Sequence, residues 1–115
     1  MKKWGRIETA TIATISTAHI SREGLRLLND VYEHRTKEIE DADHWINDLN
    51  WASYPYGYIV NAHGLIRRLE EKKDQTPAFL LEAAEMARDL KLAWIVYDED
   101  GETLEEMTNY YDDHD

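Results

Sequence analysis

By type, the residues of this sequence best suited to chemistry are one histidine and two carboxylates. His19 stands in T-I-S-T-A-H-I-S, residues 14–21, and Asp98 and Asp100 lie in Y-D-E-D-G-E, residues 97–102. An imidazole with two carboxylates could hold a divalent cation or act as an acid–base pair. Each residue also has a plainer use. A lone histidine at a strand end bonds backbone across the corner into a helix and holds that corner. D-E-D-G makes a turn in which Asp98 and Asp100 bond nearby backbone and Gly101 takes a positive φ. It lacks the spacing and the later glutamate of a calcium loop. The plainer use is the expectation for all three, with no metal, no cofactor and no catalytic residue. His63, in N-A-H-G, reads as a loop residue just after a strand. His34, His44 and His114 fall in charged, exposed stretches and have no specific role.

No other enzyme signature stands beside these residues. G-x-S-x-G, a glycine-rich phosphate loop and H-E-x-x-H are all missing. With no cysteine there is no thiolate zinc site, no disulfide and no cysteine nucleophile. A chain of 115 residues suits one domain, 1–115, with one core and little room for a deep pocket. A non-enzyme is the expectation. No apolar run is long enough to span a membrane, and M-K-K-W-G-R-I-E-T-A has no secretory h-region. The expected setting is the cytoplasm, away from membranes.

The elements that would position these residues follow from periodicity. The segment 7–17 is rich in threonine and isoleucine and alternates like a strand. Ser21 suits a helix N-cap, with Glu23 in the first turn and Leu25, Leu28, Val31 and Tyr32 at helical spacing. The segment 33–50 is an acidic insertion or a helix extension, with a short helix plausible around Trp45, Ile46 and Leu49. Pro55 marks a turn, and the segment 56–61 reads as a second strand. H-G-L-I-R-R-L-E-E-K-K-D-Q is a connection with room for a helical turn. In T-P-A-F-L-L-E-A-A-E-M-A-R-D-L-K-L, Thr76 is the expected N-cap and Pro77 the first helical residue. Leu80, Ala83, Ala84, Ala87 and Leu90 or Lys91 form its i, i+3, i+4, i+7 stripe. A-W-I-V-Y then reads as a fully buried strand, and residues 111–115 as a frayed acidic tail.

The fold class expected is α+β. A small sheet of three strands, or more, carries two main helices on one face, in the order β-α-(acidic insertion)-β-α-β-tail. Trp94, Ile95, Val96, Ile12, Ile15, Leu28, Leu80, Ala84 and Ala87 should form one buried cluster. If the first and last strands are parallel, His19, Asp98 and Asp100 share one sheet edge.

Charge is the loudest global feature, at −11, and it is uneven. Residues 98–115 hold nine acidic residues and no lysine or arginine, and residues 29–50 hold seven against Arg35 and Lys37. Such a chain repels phosphates, so direct nucleic-acid binding is not expected. It attracts basic surfaces, which belong chiefly to proteins that bind nucleic acid.

S-T-A-H-I, the strand Y-G-Y-I-V, the helix after T-P and the closing A-W-I-V-Y-D-E-D-G-E-T-L-E-E-M-T-N-Y-Y together resemble a small family of bacterial domains of unknown function. Its members lie largely on plasmids, phages and other mobile elements. The segment 33–50 is longer and more acidic here than in that pattern. The resemblance implies an accessory gene of a mobile element and carries over no catalytic residue.

Three functions compete. The first is inhibition of a nucleic-acid-binding host defence complex, as anti-restriction and anti-CRISPR proteins do, through carboxylates that mimic DNA phosphates. That comparison rests on charge and setting alone. Its contact residues would be Glu38, Glu40, Asp41, Asp43 and Asp48 in the insertion, and Asp98, Glu99, Asp100, Glu102, Glu105 and Glu106 near the end. Trp45, Trp51 or Tyr56 would anchor the centre. The second is an adaptor that binds another protein through exposed aromatics. The third is a small metal-dependent enzyme built on His19, Asp98 and Asp100.

Overall fold

In a computed structural model, residues 5, 8–33 and 44–113 are described. Four strands form one mixed sheet in the order β1-β4-β3-β2: β1 (Ile12–Ser16), β2 (Trp51–Tyr54), β3 (Gly57–Asn61) and β4 (Trp94–Asp98). β1 and β4 are parallel, and β3 is antiparallel to both β4 and β2. The helices are α1 (Arg22–Glu33), the short α2 (Trp45–Asp48), α3 (Ala62–Glu71) and α4 (Ala78–Leu90).

The α+β class is as expected, and among the described residues the sheet has four strands, one more than the three placed from the sequence. The added strand, β2, pairs with β3 across a two-residue turn made by Pro55 and Tyr56. Gly57 closes that hairpin at φ +158°, and a Cβ there would lie 1.8 Å from the Tyr97 carbonyl oxygen. Only glycine fits so close an approach. The first strand is shorter than the sequence suggests, beginning at Ile12.

The connection after Asn61 is a full helix, not a single turn. Ala62, Leu65 and Leu69 are buried at helical spacing, and the Asn61 side chain caps it by accepting from the His63 N–H at 3.0 Å. His63 therefore sits in a first helical turn rather than a loop. His44 is not idle either, because its Nδ1 accepts the Ile46 N–H at 3.2 Å and caps α2. At α4 the cap is Pro77, not Thr76. Thr76 instead gives its hydroxyl to the Lys72 carbonyl at 2.8 Å. Ser21 does cap α1, accepting the Gly24 N–H at 3.1 Å.

One core unites the described elements. Ile15, Val60, Ile95 and Tyr97 from the sheet meet Leu28, Leu65, Phe79, Leu80, Ala83, Ala84 and Ala87 from the helices. Strand alternation puts Ile12, Trp94, Val96 and Ile59 on the opposite face. There Ile12 is 55% exposed, and Trp94 and Val96 are only half-buried. The expectation of a fully buried last strand, and of Ile12, Trp94 and Val96 in the core, is therefore corrected: the core lies on one side of the sheet. Leu90 likewise leaves the α4 stripe and is 59% exposed.

Candidate binding site

The parallel pairing of β1 and β4 brings Ser16 and Asp98 into register, so the two stretches of chemical interest do meet at one end of the sheet. His19 follows β1 in a 3-10 turn, Thr17–His19, that Ser16 caps by accepting the Ala18 N–H at 3.0 Å. Its side chain is fully buried. Nε2 accepts the Leu104 N–H at 2.8 Å, so Nδ1 carries the proton and donates to the Thr108 carbonyl at 2.9 Å. Both ring nitrogens are engaged. His19 does bond backbone, though not across its own corner: it fastens the C-terminal segment. Further bonds seat that segment. The Ser16 N–H donates to the Glu102 carbonyl at 2.9 Å and the Tyr110 N–H to the Ala18 carbonyl at 2.7 Å.

Asp98 is equally committed. Its Oδ1 accepts the Asp100 N–H at 2.8 Å and its Oδ2 accepts the Tyr54 hydroxyl. The Tyr54 hydroxyl, then the Asp100 N–H, hold the Asp98 carboxyl below its ordinary value. Burial, and then that same carboxylate, push the Tyr54 phenol up to about 12. The D-E-D-G turn is as expected at Asp98, but among the described residues the exposed Asp100 takes part through its N–H and not its carboxylate, and the φ of Gly101 is not positive. Glycine is needed there because a Cβ would lie 2.4 Å from the Ile15 carbonyl oxygen. Among the described residues no group of three or more His, Cys, Asp or Glu could hold a metal ion.

The partner-binding candidates divide into several groups. Glu38, Glu40, Asp41 and Asp43 lie outside the described residues. Trp45 is 8% exposed and packs edge-on against Phe79 with ring centroids 5.9 Å apart, so it is core rather than surface anchor. Trp51 is half-buried against Tyr58, whereas Tyr56 is 56% exposed. Asp48 is enclosed by cations. Its Oδ2 accepts from Arg68 at 2.7 Å, its Oδ1 from Arg67 at 3.2 Å, and Lys72 lies 4.0 Å away. The Arg68 hydrogen bond chiefly holds the Asp48 carboxyl below its ordinary value. Arg68 is itself fully buried, and also donates to the Thr76 hydroxyl and the Gln75 carbonyl at 2.9 Å each. Asp48 therefore neutralises an interior cation and has little charge left for a partner.

Glu99, Asp100, Glu102, Glu105 and Glu106 remain exposed. The structure adds acids from α4 to them. Thr108 binds Glu82 through both its N–H, at 2.9 Å, and its hydroxyl, at 3.2 Å, and this lays the C-terminal segment against α4. A groove of about 450 Å³ results. Met86, Leu90, Leu104 and Met107 supply its apolar surface, and Glu82, Glu85, Asp89 and Glu106 its carboxylates. Among the described residues Glu85, Glu102, Glu105 and Glu106 are in no ion pair, while Asp89 meets the exposed Arg88 at 3.3 Å. Glu82, Glu85 and Asp89 were not among the sequence candidates, although their spacing of three and four places them on one helix face.

A second cleft, of about 560 Å³, lies where α1 passes the β2–β3 hairpin. Thr17, Leu25 and Asn29 line one side, Ser53 to Tyr58 the other, with Glu99 at the edge. Tyr54, Tyr56 and Tyr58, from Y-P-Y-G-Y, are all among its lining residues, a grouping that the sequence pattern does not announce.

These features describe a small α+β protein with a mixed four-stranded sheet, a C-terminal segment fastened by a buried histidine, and two surface clefts lined in part by acids. The chain belongs to the family described as "Family of unknown function (DUF5983) C-terminal domain", whose model matches residues 12–112. No curated protein and no solved structure matches the chain. No helix among the described residues is long and apolar enough to cross a membrane.

Proposed function

We propose that this protein is a non-enzymatic binder of a basic protein surface, and that the partner is a nucleic-acid-binding protein. The observation that carries the reading is the groove between α4 and the C-terminal segment. Its methionines and leucines offer adaptable apolar contact, and its carboxylates select a positively charged occupant. Unpaired surface acids also speed encounter with an opposite charge, an effect that fades as salt screens it. A host defence complex of the kind that anti-CRISPR and anti-restriction proteins block is the partner class suggested by the mobile-element resemblance. Carboxylates standing in for phosphates would then compete with the partner's own DNA.

Competition is the test. The immobilised protein is loaded with bacterial lysate at low salt and washed with short duplex DNA. A nucleic-acid-binding protein should be retained and then released by the DNA. Retention that DNA does not disturb would favour the adaptor reading, for which the exposed Tyr56 and Tyr111 are the available contacts.

A further inference from the structure

We propose that the tyrosine cleft beside the β2–β3 hairpin is a receptor for a guanidinium group, the head of an arginine side chain. Its lining has no residue in common with the acidic groove, so this site stands independently of the function proposed above. The cleft has walls of the right kind. The rings of Tyr54 and Tyr56 stand nearly perpendicular, at 74°, with centroids 6.1 Å apart. A flat cation stacks on one such face while its edge meets the next, and arginine does this better than lysine because it is planar and weakly hydrated.

The charge also has the right sign. Glu99 lines the cleft, Asp98 sits behind Tyr54, and no lysine or arginine is among the lining residues. A phosphate-bearing ligand would be repelled. Thr17, Asn29 and Ser53 are among the lining residues, and side-chain oxygens of their kind suit the N–H fork of a guanidinium. The walls are set before any ligand arrives. Tyr54 is tied to Asp98, Asp98 to the Asp100 N–H, and the Tyr56 carbonyl accepts the Glu99 N–H at 2.9 Å. A hydroxyl that donates to a carboxylate also enriches its ring in electron density, which strengthens attraction for a cation. Register explains how Tyr54 reaches Asp98 across an intervening strand. The residue between them is Gly57, which has no side chain to block the path.

The experiment is an NMR titration of the isotope-labelled protein with N-acetyl-arginine amide, the corresponding lysine amide and N-acetyl-citrulline amide. Citrulline keeps arginine's shape without its charge. Saturable shifts should appear at Leu25, Asn29, residues 53–58 and Glu99 with the arginine compound, and the other two should bind at least about tenfold more weakly. Tyr56→Ala and Glu99→Gln change exposed side chains. Each should leave the melting temperature unchanged and weaken arginine binding about tenfold. Equal binding of citrulline or of the lysine amide overturns the assignment. So does a shift pattern spread over the acidic groove, or arginine binding that both variants leave intact.

Discussion

Asp48 and the acids around the α4 groove carry the same formal charge and do opposite work. Asp48 faces Arg68, Arg67 and Lys72, and its side chain is only 14% exposed. Glu85 and Glu106 are exposed and, among the described residues, are in no ion pair. A net charge of −11 counts both kinds alike. The distinction comes from the fold: α3 carries its arginines to α2, while among the described residues the ion pair on α4 is the exposed one between Arg88 and Asp89. A carboxylate is available to a partner only where the chain has not already supplied a counterion.

The sharpest way to break this contrast is substitution. Asp48→Ala leaves a buried arginine without its counterion and should cost about 3–5 kcal/mol, whereas Glu85→Ala or Glu106→Ala should stay within about 0.5 kcal/mol of the parent. Urea unfolding measures both; equal costs would erase the contrast. His19 extends it to a neutral residue. His19→Ala removes the partner of the part-buried Leu104 N–H and of the Thr108 carbonyl, at up to about 1–3 kcal/mol for a group that water does not reach. Hydrogen exchange should then rise in residues 102–110, and an unchanged exchange pattern would mean that the histidine is not what holds the segment.

Acid probes the carboxylates that the fold has already engaged. The folded-state pKa values of Asp48 and Asp98 are depressed below the ordinary 3.8, so their contribution to stability is complete above that value. It is lost as pH falls through the folded values. Melting temperature should drop between about pH 5 and pH 2, and Asp48→Asn should flatten that drop from a lower starting point. A variant as steep as the parent would relieve Asp48 of its role. The smallest effect belongs to Tyr97, whose buried hydroxyl has no hydrogen-bond partner among the described residues and whose phenol burial pushes above its ordinary value. Tyr97→Phe should be neutral or stabilising by up to about 1 kcal/mol. A clear loss would reveal a partner for that hydroxyl.

What can be read from the sequence follows the same line between local and tertiary causes. The strand–helix run through His19, the helix after Pro77 and the backbone bond of Asp98 in the D-E-D-G turn rest on local chemistry, and each is present. α3 is obscured because Arg68 interrupts its apolar stripe and reads as surface; the aspartate that admits it to the interior lies 20 residues earlier. Trp45 looks like an anchor because its neighbours are charged, yet it points into the core beside Phe79. β4 looks buried on both faces because a run of apolar residues does not tell how many faces are covered. Glu82, Glu85 and Asp89 can be grouped by helical spacing, but their meeting with Leu104 and Met107 depends on a fastening set by His19. The tyrosine cleft needs α1 to cross the hairpin, and Y-P-Y-G-Y alone announces only the turn.

The central claim is that the available acid lies on α4 and the C-terminal segment. The direct measurement is retention of the partner, across a range of salt, by the triple variant Glu85→Lys, Glu105→Lys, Glu106→Lys. All three residues are exposed and outside the core. The variant should melt with the parent and lose the salt-sensitive part of binding. If it melts with the parent and holds the same partner as tightly at every salt concentration, the acidic groove is not the binding surface and the proposed function falls.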